Sequence, residues 1–198
     1  MSSKSHAVII IPGLGNHTLR LRLATVFWPK HRLEPVIHPI SWQSGDFGPK
    51  LDLIVAKIDE LARQGNRVSL VGTSAGGSAV MNAFAQRRSI IYRVVNVCGR
   101  LRTGPMTGFR SFAAKTASSR AFAQSVRLSE RVESTFSAAD RKKILTIRSQ
   151  FGDELVPPET TGIVGATNIQ VPMIEHGLSI MASLTIFSSR LIKFLADE

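Results

Sequence analysis

The clearest chemical signal in the chain is Gly72-Thr73-Ser74-Ala75-Gly76-Gly77. It follows the apolar run 68–71 and opens a stretch rich in small residues. A strand that turns sharply into a helix through such a sequence strains the serine backbone and lifts Oγ clear of the sheet. Glycine at 72 and 76 leaves room where a side chain would strike neighbouring backbone. Gly77 lets the helix lie close to the sheet. The helix start adds free N–H groups and a positive dipole end, both suited to developing negative charge. The chemistry this supports is nucleophilic attack by a hydroxyl. Serine is a weak nucleophile at neutral pH, so a base must take its proton. The plainer alternative is a glycine-rich helix start with a capping serine.

Other chemistries find less support. Gly13-Leu14-Gly15 opens like a dinucleotide-binding loop, but Thr18 stands where the third glycine belongs. His6, His17, His31 and His38 are scattered, with no His-x-x-x-His and no cysteine pair. Neither a metal nor a cofactor is therefore expected. Cys98 ends an apolar run and reads as a small buried side chain. As the single cysteine it excludes an intrachain disulfide.

The elements that must position Ser74 follow from periodicity. Apolar runs at 6–11, 34–38, 67–71, 90–97, 143–148 and 167–171 read as strands, most of them buried on both faces. Helical spacing covers 49–64, 75–86 and 178–195. Leu19-Arg20-Leu21-Arg22-Leu23 alternates like a strand. A parallel sheet needs a crossover there, so 17–27 is assigned as a helix. The result is a single α/β domain spanning 1–198. Its open, mostly parallel sheet has about six strands, with helices on both faces. Residues 100–139 break the rhythm, with Ser, Ala, Arg and four phenylalanines. A long structureless loop is improbable, so this segment is expected to form a small cap or lid over the site.

In these motifs the chain resembles the α/β-hydrolase superfamily over nearly its whole length. The resemblance places the nucleophile at Ser74. It places the triad acid at Asp153, in Gly152-Asp153-Glu154-Leu155-Val156-Pro157, and the base at His176, in Glu175-His176-Gly177. Glu154 is the alternative acid. His176 would take the Ser74 proton and return it to the leaving group, while Asp153 would hold the imidazole and stabilise its cation. The same resemblance assigns the oxyanion hole to the backbone N–H groups of Ala75 and Leu14. The chain departs from the common pattern by having Pro12 where a histidine usually stands, which removes no donor. The implied activity is a serine hydrolase, an esterase, lipase or thioesterase working through an acyl-serine. The alternative is a non-catalytic binding module on the same scaffold.

Charge narrows the partners. The net charge is +11, and 61–129 holds eleven basic residues and no acidic one. This basic stretch could serve an anionic substrate, with Arg100, Arg102 and Arg110 as candidate contacts, or simply be a solvated face. A small ester or acyl substrate is the expected partner, and nucleic acid is not. No apolar run is long enough to span a bilayer. The N-terminus lacks the longer apolar region of a signal peptide, so the chain reads as cytoplasmic.

Overall fold

The computed structural model describes residues 5–197. Six strands form one sheet: β1 (His6–Ile11), β2 (Leu33–Ile37), β3 (Arg67–Thr73), β4 (Ile91–Val97), β5 (Ile144–Ser149) and β6 (Thr167–Val171). Their order is β2-β1-β3-β4-β5-β6, and every pair is parallel. Eight helices connect them: α1 (Thr18–Ala24), α2 (Phe47–Arg63), α3 (Gly76–Gln86), α4 (Phe112–Thr116), α5 (Arg120–Glu133), α6 (Ala138–Lys142), α7 (His176–Leu184) and α8 (Ser189–Ala196).

Period-two alternation divides the core. Ala7, Ile9 and Ile11 of β1 point to the face covered by α2, α3 and α5. Val8 and Ile10 point to the face covered by α1, α7 and α8. Both faces of β1 are thus dry, which is why its sequence is continuously apolar rather than alternating. Strand order reverses between β1 and β3. Chain turns leaving these two strands run to opposite sides there and open a crevice at the strands' C-terminal ends. The loop after β1 and the elbow after β3 both occupy that crevice.

Two expectations need correction. The helix expected over 178–195 is two helices, α7 and α8, bent by 54°. Thr185 ends the first at φ −119° and ψ −95°, with its Oγ1 donating back to the Met181 carbonyl at 2.7 Å. The bend lets Leu184, Leu191 and Leu195 all reach the core. The 100–139 segment is not a cap throughout. Its longest helix, α5, packs on α2 and α3 as part of the helical layer. The alternating run at Leu19 is helical, as expected, although α1 ends at Ala24 rather than reaching residue 27, and of its three leucines only Leu21 is buried.

Candidate active site

Ser74 sits between β3 and α3 with φ at +53°, a left-handed backbone that side chains other than glycine rarely adopt. The strain is held from both sides. The Ser74 N–H donates to the Val97 carbonyl at 2.9 Å, and the Gly77 N–H donates to the Ser74 carbonyl at 2.9 Å. The glycines are required by space. A Cβ at Gly72 would lie 2.2 Å from the Gly76 carbonyl oxygen, and one at Gly76 would lie 2.1 Å from that of Ile11.

Asp153 and His176 converge on this serine from loops after β5 and β6. His176 Nε2 is 2.9 Å from Ser74 Oγ, and Nδ1 is 2.7 Å from Asp153 Oδ2. This network assigns the Nδ1–H tautomer, leaving Nε2 to accept the serine proton. Asp153 is itself fixed, since its Oδ1 accepts from the Leu155 and Val156 N–H groups at 2.9 and 2.8 Å. Both Asp153 and His176 are buried. Glu154, the alternative acid, instead accepts from the His176 backbone N–H at 3.1 Å and does not address the imidazole.

Glu175 was not singled out by the sequence reading. It caps α7, accepting from the Gly177 and Leu178 N–H groups. Those two donors hold its carboxyl below the usual carboxylate range. Acid placement at a helix N-cap was the signal that could have revealed it. Asn96 was also overlooked. Its side chain binds the Gly99 N–H, the Gly99 carbonyl and the Thr161 carbonyl, tying the end of β4 together beside the elbow.

The Pro12 to Gly15 loop faces Ser74 across the crevice. A Cβ on Gly13 would lie 2.7 Å from Ser74 Cβ, so glycine is what lets this loop approach. Trp42 Nε1 donates to the Pro12 carbonyl at 3.1 Å and anchors the loop from below. Among the described residues, the N–H groups of Leu14 and Ala75 have no hydrogen-bond acceptor. A cavity of about 340 Å³ opens at Ser74. Leu14, Leu21, Leu155, Ile180 and Met181 supply its apolar wall, while His17 and Arg20 stand among its polar lining.

The three candidate arginines are elsewhere. Arg100 is buried and spends its donors on the Arg102, Arg110 and Thr103 carbonyls. Arg102 pairs with Glu133 and the Glu159 carbonyl. Arg110 donates to the Asp153 carbonyl at 2.8 Å. None of them lines the cavity at Ser74. The physical reason is that loop 100–110 folds without regular secondary structure over most of its length. Its carbonyls need donors, and guanidinium forks supply them. Much of the remaining basic excess is likewise engaged: Arg87 binds Asp59 through two nitrogens, and Arg88 binds Thr135 and Asp140. Burial pushes the Cys98 thiol up, so it stays protonated and inert.

No protein-family model matches the sequence, and no curated protein does. Solved structures match over nearly the whole chain. The monoacylglycerol lipase of Paleococcus ferrophilus aligns at 15% identity and TM-score 0.66, covering 96% of this chain and 93% of that one. Est1E from Butyrivibrio proteoclasticus aligns at 20% identity and TM-score 0.70, covering 97% and 87%. A soluble variant of monoglyceride lipase from Saccharomyces cerevisiae aligns at 12% identity and TM-score 0.66, covering 100% and 87%. With its all-parallel sheet and helices on both faces, the chain has the α/β-hydrolase fold.

Proposed function

We propose that the chain is a serine hydrolase that cleaves carboxylic esters or related acyl bonds through an acyl-serine intermediate. The observation that carries this reading is one imidazole bridging Ser74 Oγ at 2.9 Å and Asp153 Oδ2 at 2.7 Å. Ser74 attacks the substrate carbonyl as His176 Nε2 takes its proton. The new C–O bond pushes the carbonyl electrons onto oxygen, and the Leu14 and Ala75 N–H groups receive that oxyanion. His176 then returns the proton to the leaving alkoxide as the tetrahedral adduct collapses. Water repeats the sequence and frees the acid. Asp153 stays ionised throughout and stabilises the imidazolium. The lipases and esterase-like proteins of the same fold support this chemistry, and the apolar cavity suits a short or medium acyl chain.

The test joins a fluorophosphonate label to a panel of p-nitrophenyl esters of rising chain length. Wild type should label and turn over esters, and Ser74→Ala should do neither. An unlabelled wild type without ester turnover refutes the reading. Salt-sensitive capture of an anionic polymer by that unlabelled protein would favour the binding-module alternative.

A further inference from the structure

The run Leu19-Arg20-Leu21-Arg22-Leu23 forms a helix whose apolar residues do not all face inward. Leu21, Ala24 and Trp28 are buried against the sheet. Leu19, Leu23, Val26 and Phe27 stand outside, with exposures of 69%, 64%, 57% and 64%. Leu19 and Leu23, four residues apart, share the outward face of α1, and Val26 and Phe27 follow in the turn that leads to Trp28. A solvated helix ordinarily presents polar residues there. Four large apolar side chains exposed between residues 19 and 27 mark a contact site.

The charge around the stripe selects its partner. Arg20, Arg22, Lys30 and Arg32 lie in the same segment, and no acidic residue precedes Glu34. Among the described residues, neither Arg20 nor Arg22 has an ion-pair partner. Lys30 lies 4.8 Å from the Phe27 ring centre, so cation and apolar ring share one patch. Glu175 is the acid that shares the cavity with Arg20, and its carboxylate is committed to capping α7. An apolar stripe flanked by unpaired cations is the pattern of a helix lying in an anionic lipid interface. A second copy of the chain fits less well, because it would bring the same cations together.

We infer that the outer face of α1 docks on an anionic lipid surface and presents the Ser74 cavity to it. The same helix reaches both places, since His17, Arg20 and Leu21 line the cavity while Leu19 and Leu23 point outward. This deepens the hydrolase reading by naming its substrate class as amphiphilic esters held in a membrane. The docking itself does not depend on catalysis.

Flotation with vesicles tests it. The full chain is mixed with phosphatidylcholine vesicles, with or without about 30% phosphatidylglycerol. Wild type should float with the anionic vesicles about tenfold more than with neutral ones, and less at high salt. Leu19→Ser with Leu23→Ser, and separately Arg22→Glu, should each cut that binding about tenfold while leaving p-nitrophenyl acetate turnover unchanged. Ser74→Ala should float like wild type, so loss of catalysis and loss of docking are read separately. A wild type that floats with neither vesicle overturns the inference, as does a double-serine variant that binds undiminished. A wild-type dimer that the double-serine variant turns into monomer would reassign the stripe to self-association and overturn it too.

Discussion

Gly77 and Asn96 are in such close approach that a Cβ on residue 77 would lie 2.0 Å from the Asn96 side-chain oxygen. That oxygen cannot retreat, because it accepts from the Gly99 N–H while the amide nitrogen donates to the Gly99 and Thr161 carbonyls. Close packing of the first turn of α3 on β4 is what seats the elbow. Gly77→Ala is expected to cost roughly 1–3 kcal/mol, the ordinary penalty of overpacking, offset in part by alanine's better helix propensity. Urea denaturation measures it. In an Asn96→Ala background the same change should cost less, because the Asn96 clash is gone and only the 3.0 Å approach to the Gly99 Cα remains. An unchanged midpoint for Gly77→Ala would show that the layers can separate freely.

Asp153 uses both carboxylate oxygens, one for the imidazole and one for its own loop. Asn at this position can accept the loop N–H groups through its amide oxygen. Its NH₂ then faces His176 Nδ1 and favours the wrong tautomer. Asp153→Asn should therefore fold with nearly wild-type stability and lose about 10³- to 10⁴-fold in kcat on a p-nitrophenyl ester. Comparable losses of kcat and thermal midpoint together would mean that the residue is chiefly structural.

The sheet and the elbow were legible because the signals are local. Continuous β-branched runs declare doubly buried strands, and Gly72-Thr73-Ser74-Ala75-Gly76 places its own constraints within a few residues. Asp153 and His176 were legible through resemblance, since a lone Asp or His carries no such local constraint. What stayed hidden depends on three-dimensional neighbours. The kink at Thr185 follows from where Leu191 must reach. The fate of Arg100 follows from which carbonyls surround it. The outward exposure of Leu19 and Leu23 stayed hidden because two apolar faces, one buried and one exposed, overlap on a short helix.

Arg100 lies over the Phe112 ring at 5.7 Å and binds three loop carbonyls. Gln at this position is shorter, uncharged and cannot span all three. Arg100→Gln should lower stability by roughly 2–4 kcal/mol, the range for lost hydrogen bonds to a buried charged group. KM for anionic and neutral esters should move together, because the residue does not line the cavity. A KM increase confined to anionic esters would return Arg100 to the substrate site.

His6 supplies a pH dependence that is independent of the active site. Its Nε2 lies 2.8 Å from Ser69 Oγ at the start of the sheet, with the Tyr92 ring edge-on at 5.7 Å. Burial, aided by the nearby positive charge of Arg67, pushes the imidazole down to about 4 from an ordinary 6.5. Between those two values the unfolded chain binds a proton that the folded chain refuses. Stability is therefore complete above about pH 6.5, falls as the pH drops toward 4, and levels off below the folded value. At pH 5 the loss should be about 1–2 kcal/mol, allowing for solvent screening at the end of the strand. Burial and Lys57 depress His38 in the same direction, so the two contributions must be separated. His6→Gln keeps a neutral polar side chain beside Ser69 but cannot titrate. Urea midpoints at pH 7.5 and pH 5 should differ less in this variant than in wild type. An equal pH dependence in the two proteins would assign the slope to His38 or to other groups.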